Sequence, residues 1–175
     1  LRARVAKLEG VPVTALDRVR GRVQLSDGAP RLVAGMHAMG GRVGVVSGGF
    51  IEIVEPIAKD LGIDYAAANR LAVRDGALTG ELEGPIVGPR EKVAYLEAWA
   101  AAAGASLGDT VAVGDGANDL PMLERAGLGV AFNAKPAVQE ALRHRVNVRE
   151  LDAVLYVLGW SDAEIDALIH EARPA

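Results

Sequence analysis

One segment of the sequence combines two carboxylates and an amide within a few residues. The run GDGAND (residues 114–119) directly follows the short apolar segment 110–113 and precedes a helical pattern. Open α/β sheets bind ligands at the carboxyl ends of their strands, so a site is expected at this position. Carboxylate and amide oxygens are ligands that suit Mg²⁺. A plain turn, whose acids only favour the next helix, is the alternative; the full string in this position favours the metal site.

A second segment carries groups that could bind an anion. The run VSGGF (residues 46–50) ends another β-branched stretch and precedes a helical pattern. The Ser47 hydroxyl and the unhindered N–H groups beside Gly48 would form an anion cradle at the start of that helix. The alternative is a tight turn in which the glycines only serve packing. The second strand-end loop at 114–119 favours phosphate binding.

Lys92 is the third candidate, because it lies in the first turn of a predicted helix that begins at Pro89-Arg90-Glu91. A cation there opposes the helix dipole at a cost of about 0.3–1 kcal/mol. Taken alone, a surface lysine is the better explanation. A lysine that neutralises a phosphoryl group would also explain the unfavourable position.

The segments between these candidates alternate between short apolar runs and helical patterns, which is typical of an α/β fold with a parallel sheet. Residues 42–47 read as a strand buried on both faces that breaks at Gly48-Gly49. We predict further strands at residues 63–68, 110–113, 129–132 and 145–148, and helices at 51–61, 91–103 and 120–126. Gly62 is a predicted helix C-cap.

Three further regions have their own patterns. Residues 71–84 alternate and contain Asp75-Gly76, which predicts an antiparallel hairpin beside the sheet. Residues 1–24 suggest two short helices, broken near residues 10–12, that would form a small lid. Residues 153–170 form a last amphipathic stretch, with Ser161 as a helix N-cap.

Composition excludes several classes of function. The 175 residues, half of them hydrophobic, suit one globular domain. A net charge of −4 and a pI near 5.4 offer no footprint for nucleic acid or an anionic membrane surface. The absence of cysteine excludes disulfides and thiol nucleophiles. No apolar run is long enough to span a bilayer, and we expect a cytoplasmic protein.

The three candidate segments, in this order, resemble motifs of the haloacid dehalogenase superfamily of phosphatases, and within it the phosphoserine phosphatases. The resemblance covers nearly all of residues 1–150. It is carried by VVSGGF (45–50), AANRL (67–71), DGALTGELEG (75–84), TVAVGDGANDLPML (110–123) and AFNAKP (131–136). The opening LRARV (1–5) looks like the end of that family's helical cap. The resemblance as a whole implies three parts. They are a cap remainder at residues 1–26, a Rossmann-like phosphatase core at 27–152 with a hairpin flap near 71–84, and a helical extension at 153–175.

The resemblance implies hydrolysis of O-phospho-L-serine to L-serine and phosphate, in L-serine biosynthesis. Ser47 and Gly48 would bind the phosphoryl group, and Lys92 would neutralise its charge and that of the nucleophile. Asn118 would contact the substrate. Arg4 would pair with the substrate carboxylate, which its planar guanidinium suits.

The resemblance also implies a Mg²⁺ cofactor. Asp115 would bind the metal directly, and Asp119 would support the site through its water shell. Asp115 and Asp119, through the metal, and Lys92 would then act on the same phosphoryl group.

The sequence departs from the family in one respect, because it contains no D-x-D anywhere. The family's D-x-D-x-T motif supplies the aspartate nucleophile and the general acid/base, and lies on the central strand upstream of the cap. The chain also begins at Leu1, inside a helical pattern, rather than at Met. We therefore expect a fragment that is inactive alone and whose partner is the upstream segment of the same protein.

Other interpretations stay open at this point. The chain could come from another phosphatase of the superfamily or from a phosphotransferase that moves phosphate from phosphoserine to homoserine. It could also be a non-catalytic phosphate-binding remnant. A response-regulator-like domain is disfavoured by the VSGGF loop, the hairpin and the cap remainder. The sequence does not decide whether the protein is a homodimer.

Overall fold

The computed structural model describes residues 1–172 and consists of nine α-helices, six strands and two short 3₁₀ turns within that range. The helices are α1 (Arg2–Val5), α2 (Ala15–Arg20), α3 (Ala29–Ala38), α4 (Ile51–Asp60), α5 (Pro89–Ala102), α6 (Leu120–Arg125), α7 (Pro136–Ala141), α8 (Ala153–Val157) and α9 (Asp162–Glu171). The strands are β1 (Gly44–Phe50), β2 (Tyr65–Arg74), β3 (Ala77–Glu83), β4 (Val111–Gly114), β5 (Leu128–Phe132) and β6 (His144–Val146), and the 3₁₀ turns are Ala6–Leu8 and Leu107–Asp109.

The strands form two three-stranded sheets in the order β1-β2-β3 and β4-β5-β6. β1 and β2 are parallel, β2 and β3 are antiparallel, and β4, β5 and β6 are all parallel. Ala112, Val130 and Ala131 are buried, as expected of parallel strands that are covered by helices on both faces. The predicted α/β architecture with a parallel sheet is confirmed.

The first sheet is more continuous than the sequence pattern indicated. We predicted a strand at 63–68 and a separate hairpin at 71–84, but the single strand β2 runs through both segments. Its first part pairs with β1 and its last part with β3. Asn69, which lies between the two predicted segments, is buried and hydrogen-bonded, so the strand continues through it.

The ends of these strands also differ from the prediction. β1 continues through Gly48 and Gly49 to Phe50, with a shift of register between Val46 and Phe50, so the predicted break at the glycines is wrong. The hairpin turn is confirmed, because Asp75 and Gly76 both have positive φ (51° and 76°), as a type I′ turn requires.

Three hydrophobic clusters hold the elements together. One lies under α5, α6 and α7 and includes Ala112, Leu123 and Val138. Another, around Val130, Val146 and Val154, packs β5 and β6 against α8. The third joins Val5 of α1 to Leu71 and Leu78 of the hairpin, so the N-terminal helices lie on the flap.

Both ends of the chain are helical, as predicted. α1 with its 3₁₀ turn and α2 flank the break near residues 10–12. Ser161 is the N-cap of α9, where its hydroxyl accepts a hydrogen bond from Glu164 N–H (3.4 Å). Residues 173–175 of the predicted extension lie outside the described residues. Within residues 1–172, no helix has the length and apolar character needed to cross a membrane.

Candidate functional site

The acidic loop leaves β4 at Gly114 and enters α6 at Asp119, and its backbone folds around the Asp119 carboxylate. Asp119 Oδ2 accepts hydrogen bonds from Gly116 N–H (3.0 Å) and Asp115 N–H (3.3 Å). A Cβ on Gly114 would lie 2.6 Å from the Asp119 Cβ, so only glycine allows this close approach. The loop therefore presents a carboxylate at the carboxyl end of a parallel strand, where sites are expected.

Lys92 and Asp119 form a buried ion pair at the centre of this region. Lys92 Nζ donates to Asp119 Oδ1 at 2.5 Å, and each residue is 6 % exposed. The interpretation of Lys92 as a surface lysine is wrong. The helices α5 and α6, which pack on each other, bring together residues that are 27 positions apart.

The electrostatics of this pair favour a charged carboxylate. Burial alone would raise the pKa of Asp119, but the hydrogen bond from Lys92 and the N–H group of Gly116 outweigh it. The pKa of Asp119 is therefore below its ordinary value. Asp119 keeps its negative charge at neutral pH and orients the Lys92 ammonium.

Asp115 differs from Asp119 in being exposed. Its backbone carbonyl accepts from Lys135 N–H (3.0 Å), but its carboxylate makes no hydrogen bond or ion pair with any residue in the 1–172 range. The carboxylate of Asp115 is thus free to bind a ligand.

The acidic loop fits a Mg²⁺ ion only in part. Mg²⁺ is usually held by one or two carboxylates, completed by waters and phosphate oxygens. Asp115 supplies one free carboxylate, whereas Asp119 is engaged by Lys92 and backbone N–H groups. No cluster of three or more His, Asp or Glu side chains suited to a metal is found among the described residues. The carboxylate oxygens suit Mg²⁺. The remaining coordination positions of the ion would be filled by oxygen atoms from outside these residues.

The loop at the end of β1 has the form of an anion site. Gly49 N–H donates to Ser47 Oγ (3.0 Å), which leaves the Ser47 hydroxyl hydrogen free to point elsewhere. Gly48 is exposed, and a Cβ there would meet nothing closer than 3.9 Å. The loop leads through Phe50 directly into α4, so the helix N-terminus adds its partial positive charge.

The structure does not join every predicted site residue to this centre. Arg4 is exposed on α1, and its guanidinium makes no ion pair within residues 1–172. Its neighbour Val5 packs in the cluster that includes Phe50, which follows the β1 loop. Asn118 is exposed in the acidic loop.

Asn69 is a residue that the sequence pattern did not single out. It is buried in β2, where Ala67, Asn69 and Leu71 alternate on one buried face. Its side-chain amide contacts the backbone of both the β1 loop and the segment before α5. The signal that could have found it is a polar side chain at a buried position of an alternating strand.

The two site loops also lie at two sheet edges. Among the described residues, β1 pairs only with β2 and β4 only with β5, so each has one edge without a strand partner. Val46 of β1 packs against the cluster that contains Ala112 of β4. Residues 47–49 form the irregular last part of β1, and the loop at 115–119 follows β4.

A family model described as haloacid dehalogenase-like hydrolase matches residues 2–124. The chain is 51 % identical over 167 residues to a phosphoserine phosphatase of Streptomyces coelicolor, which covers 95 % of this chain and 41 % of that protein. It is 50 % identical over 155 residues to a phosphoserine phosphatase of Lactococcus lactis, with 89 % and 72 % covered. The chain thus spans less than half of the first relative and almost three quarters of the second.

The fold is shared with solved structures as well. A structure described as a phospho-aspartyl intermediate analogue of phosphoserine phosphatase superposes with a TM-score of 0.84 at 42 % identity, covering 90 % of this chain and 75 % of that one. The predicted Rossmann-like core with a parallel sheet is confirmed by this match.

Proposed function

The chain belongs to the haloacid dehalogenase-like hydrolase family, and we propose that its parent protein hydrolyses O-phospho-L-serine to L-serine and phosphate. The observation that carries the proposal is the buried Lys92–Asp119 pair beside the free carboxylate of Asp115. The chain that contains this pair is 50 % identical in sequence, over 155 residues, to a phosphoserine phosphatase. We further propose a role in L-serine biosynthesis in the cytoplasm, which rests on the resemblance alone.

In this proposal the chain's own residues bind and stabilise the phosphoryl group. The Ser47 hydroxyl and the Gly48 N–H donate to its oxygens, and the Lys92 ammonium offsets the charge that develops on them. Charged donors held in a buried setting act strongly because they need no reorganisation during the reaction. Asp119 supports this role by keeping Lys92 in one position.

Mg²⁺ is the proposed cofactor, with Asp115 as a direct ligand and Asp119 as an outer support. When bound, the ion would supply positive charge that polarises the phosphoryl oxygens. Asn118 and Arg4 complete the proposed substrate contacts, Asn118 from the acidic loop and Arg4 by pairing with the serine carboxylate. The exposure of both side chains is compatible with contacts to a small ligand.

The nucleophile is proposed to come from outside this chain, since the sequence has no D-x-D. A segment of the same protein would add a strand between the free edges of β1 and β4, which would satisfy their backbone groups. An aspartate on it would attack phosphorus while the bond to the serine oxygen breaks, and the second acid of the same motif would protonate that oxygen. Water would then attack the aspartyl-phosphate and release phosphate, which divides the transfer into two steps. Residues 1–26 would then be the remainder of the cap, 27–152 the core, and 153–175 an extension.

Phosphate release from O-phospho-L-serine tests the proposal. The 175-residue chain with Mg²⁺ should release no phosphate, and joining it to the upstream segment encoded in its gene should restore release. Asp115→Asn and Lys92→Met should each abolish the restored activity, as should chelation of Mg²⁺. Turnover by the chain alone would contradict the external nucleophile. Phosphate transfer to added homoserine, in place of release, would identify a phosphotransferase.

A further inference from the structure

Asn69 uses all of its hydrogen-bonding groups on two segments that are distant in the sequence. It is 1 % exposed. Its Nδ2 donates to the carbonyls of Gly48 (2.9 Å) and Gly49 (3.1 Å), and its Oδ1 accepts from Val87 N–H (2.8 Å). One side-chain amide thereby joins the end of β1 to the segment that enters α5.

The two segments joined by Asn69 carry the groups proposed to hold the phosphoryl group. Gly48 and Gly49 belong to the anion loop with Ser47. Val87 is buried and precedes the start of α5. There, Gly88 N–H donates to Glu91 Oε2 (2.9 Å) and Gly88 O accepts from Lys92 N–H (3.0 Å). The hydrogen-bonded first turn makes the path from Val87 to Lys92 short and rigid.

The chemistry of this bridge is specific to an amide. Asparagine offers two N–H donors and a carbonyl acceptor on one planar group, whereas a carboxylate has no donor and a hydroxyl has only one. Two carbonyls on one side and an N–H on the other therefore match asparagine. A leucine at this buried position would remove all three of these hydrogen bonds, which costs free energy.

We propose that Asn69 is a positioning residue that sets the distance between the Ser47–Gly49 loop and the Lys92 ammonium, so that both bind one phosphoryl group. The inference rests on the proposed function, because it assumes that the loop and Lys92 share a phosphate. Small displacements of such groups cost much of their effect.

The test is a titration of this chain with inorganic phosphate. Binding is measured from the NMR chemical shifts of the Gly48 and Gly49 amides and of the Lys92 side chain. In the wild-type chain, one dissociation constant should describe the shifts at all three positions. Asn69→Asp keeps the shape and the acceptor for Val87 N–H but removes both donors. It should weaken phosphate binding about tenfold, because a small misplacement of binding groups costs much of their effect, and the Lys92 shift should no longer follow the loop shifts.

Thr79→Val is the matched control. It removes the hydrogen bonds that Thr79 Oγ1 donates to Ala72 O (3.3 Å) and accepts from Glu81 N–H (3.3 Å) in the same sheet without touching either segment, so one dissociation constant should still describe loop and lysine. A mere loss of stability would leave the shifts coupled in both variants.

Two outcomes would overturn the inference, and they differ in what they mean for the proposed function. Coupled, full-strength binding in Asn69→Asp refutes the positioning role and leaves the proposed function intact. If phosphate shifts neither the loop amides nor Lys92 in the wild-type chain, even after the upstream segment is joined to it, the phosphate site itself is refuted, and with it both proposals.

Discussion

Asp119 determines the environment of Lys92. Isolated in the first turn of α5, a lysine is unfavourable because of the helix dipole, and burial adds a desolvation cost. The carboxylate at 2.5 Å offsets both. A buried ion pair is weak evidence for stability, since apolar residues often do as well; its presence here is better explained by the charge that the proposed reaction needs.

Removing Asp119's charge should destabilise the chain strongly. Asp119→Asn leaves the Lys92 ammonium buried without a counter-charge and should lower the free energy of unfolding by about 3–5 kcal/mol, measured by urea denaturation. Asp115→Asn is the control, since that side chain is exposed and the change should stay within about 0.5 kcal/mol. Equal effects of the two substitutions would mean that the ion pair does not hold Lys92.

The lowered pKa of Asp119 also predicts a pH dependence. The carboxylate has an ordinary value of 3.8 and a lower value in the folded chain, so the folded state prefers the ionised form. Its contribution to stability is present above pH 3.8 and is lost as the pH falls through the lower, folded value. The difference in unfolding free energy between wild type and Asp119→Asn should therefore shrink only below pH 3.8 in a series of urea titrations. A difference that declines between pH 7 and 5 would contradict this assignment.

At the scale of elements, β2 is the strand that connects the sheet to the flap. Its first residues pair with β1 and its last with β3, and the buried positions alternate along it. The hairpin packs under α1 through Leu71, Leu78 and Val5. Strand β2 thus pairs at one end with β1, which carries the anion loop, and at the other end forms the hairpin on which the N-terminal helices pack.

The turn of this hairpin requires positive φ at both central residues, Asp75 and Gly76. Gly76 has φ of +76°, and a Cβ there would meet no atom within 4 Å, so any penalty comes from conformation. Gly76→Ala should cost about 1–2 kcal/mol of unfolding free energy, measured by chemical denaturation. Asp75→Asn is the control, because asparagine tolerates positive φ, and it should be close to neutral. A neutral Gly76→Ala would contradict the type I′ turn.

At the scale of the whole molecule, Arg31 attaches the C-terminal helices to the core. From α3, its guanidinium donates to Asp152 (2.8 Å), Asp162 (2.9 Å) and Asp166 (2.9 Å). The hydrogen bond to Asp152, which is the least exposed of these acids, is the main cause that raises the pKa of Arg31. Ile165, 1 % exposed, adds apolar burial in α9. Residues 153–172 are therefore packed on the core.

Arg31→Met should loosen this attachment without disturbing the site. We expect a loss of about 1.5–3 kcal/mol, the range for hydrogen bonds to charged groups, and faster amide hydrogen exchange in α9 than in wild type. Exchange in β4 and the acidic loop should not change. Arg149→Met is the control, since its pair with Asp27 is exposed on both sides and such pairs contribute about 0–1 kcal/mol. Unchanged exchange in α9 would show that Arg31 is not the attachment.

The sequence by itself determined the segments whose structure depends on neighbours in the chain. The Asp75-Gly76 turn, the Ser161 cap and the acidic loop at the end of β4 were all predicted from short stretches, because turn geometry, capping and periodicity act over a few residues. Family motifs lie in the same short stretches. The site residues assigned by resemblance, Arg4 and Asn118 among them, stay predictions.

Only the tertiary structure decided the burial and pairing of particular side chains. Taken alone, the position of Lys92 favoured a surface lysine, whereas the packing of α5 on α6 buries it against Asp119, 27 positions away. The sequence pattern gave Asn69 no role of its own, but in the structure its amide bonds to Val87 N–H, 18 positions away, and to a carbonyl at the end of β1. Burying a polar side chain costs free energy unless a hydrogen-bonding partner or a counter-charge meets it. That partner is set by the packing of whole elements, which the local sequence pattern does not contain.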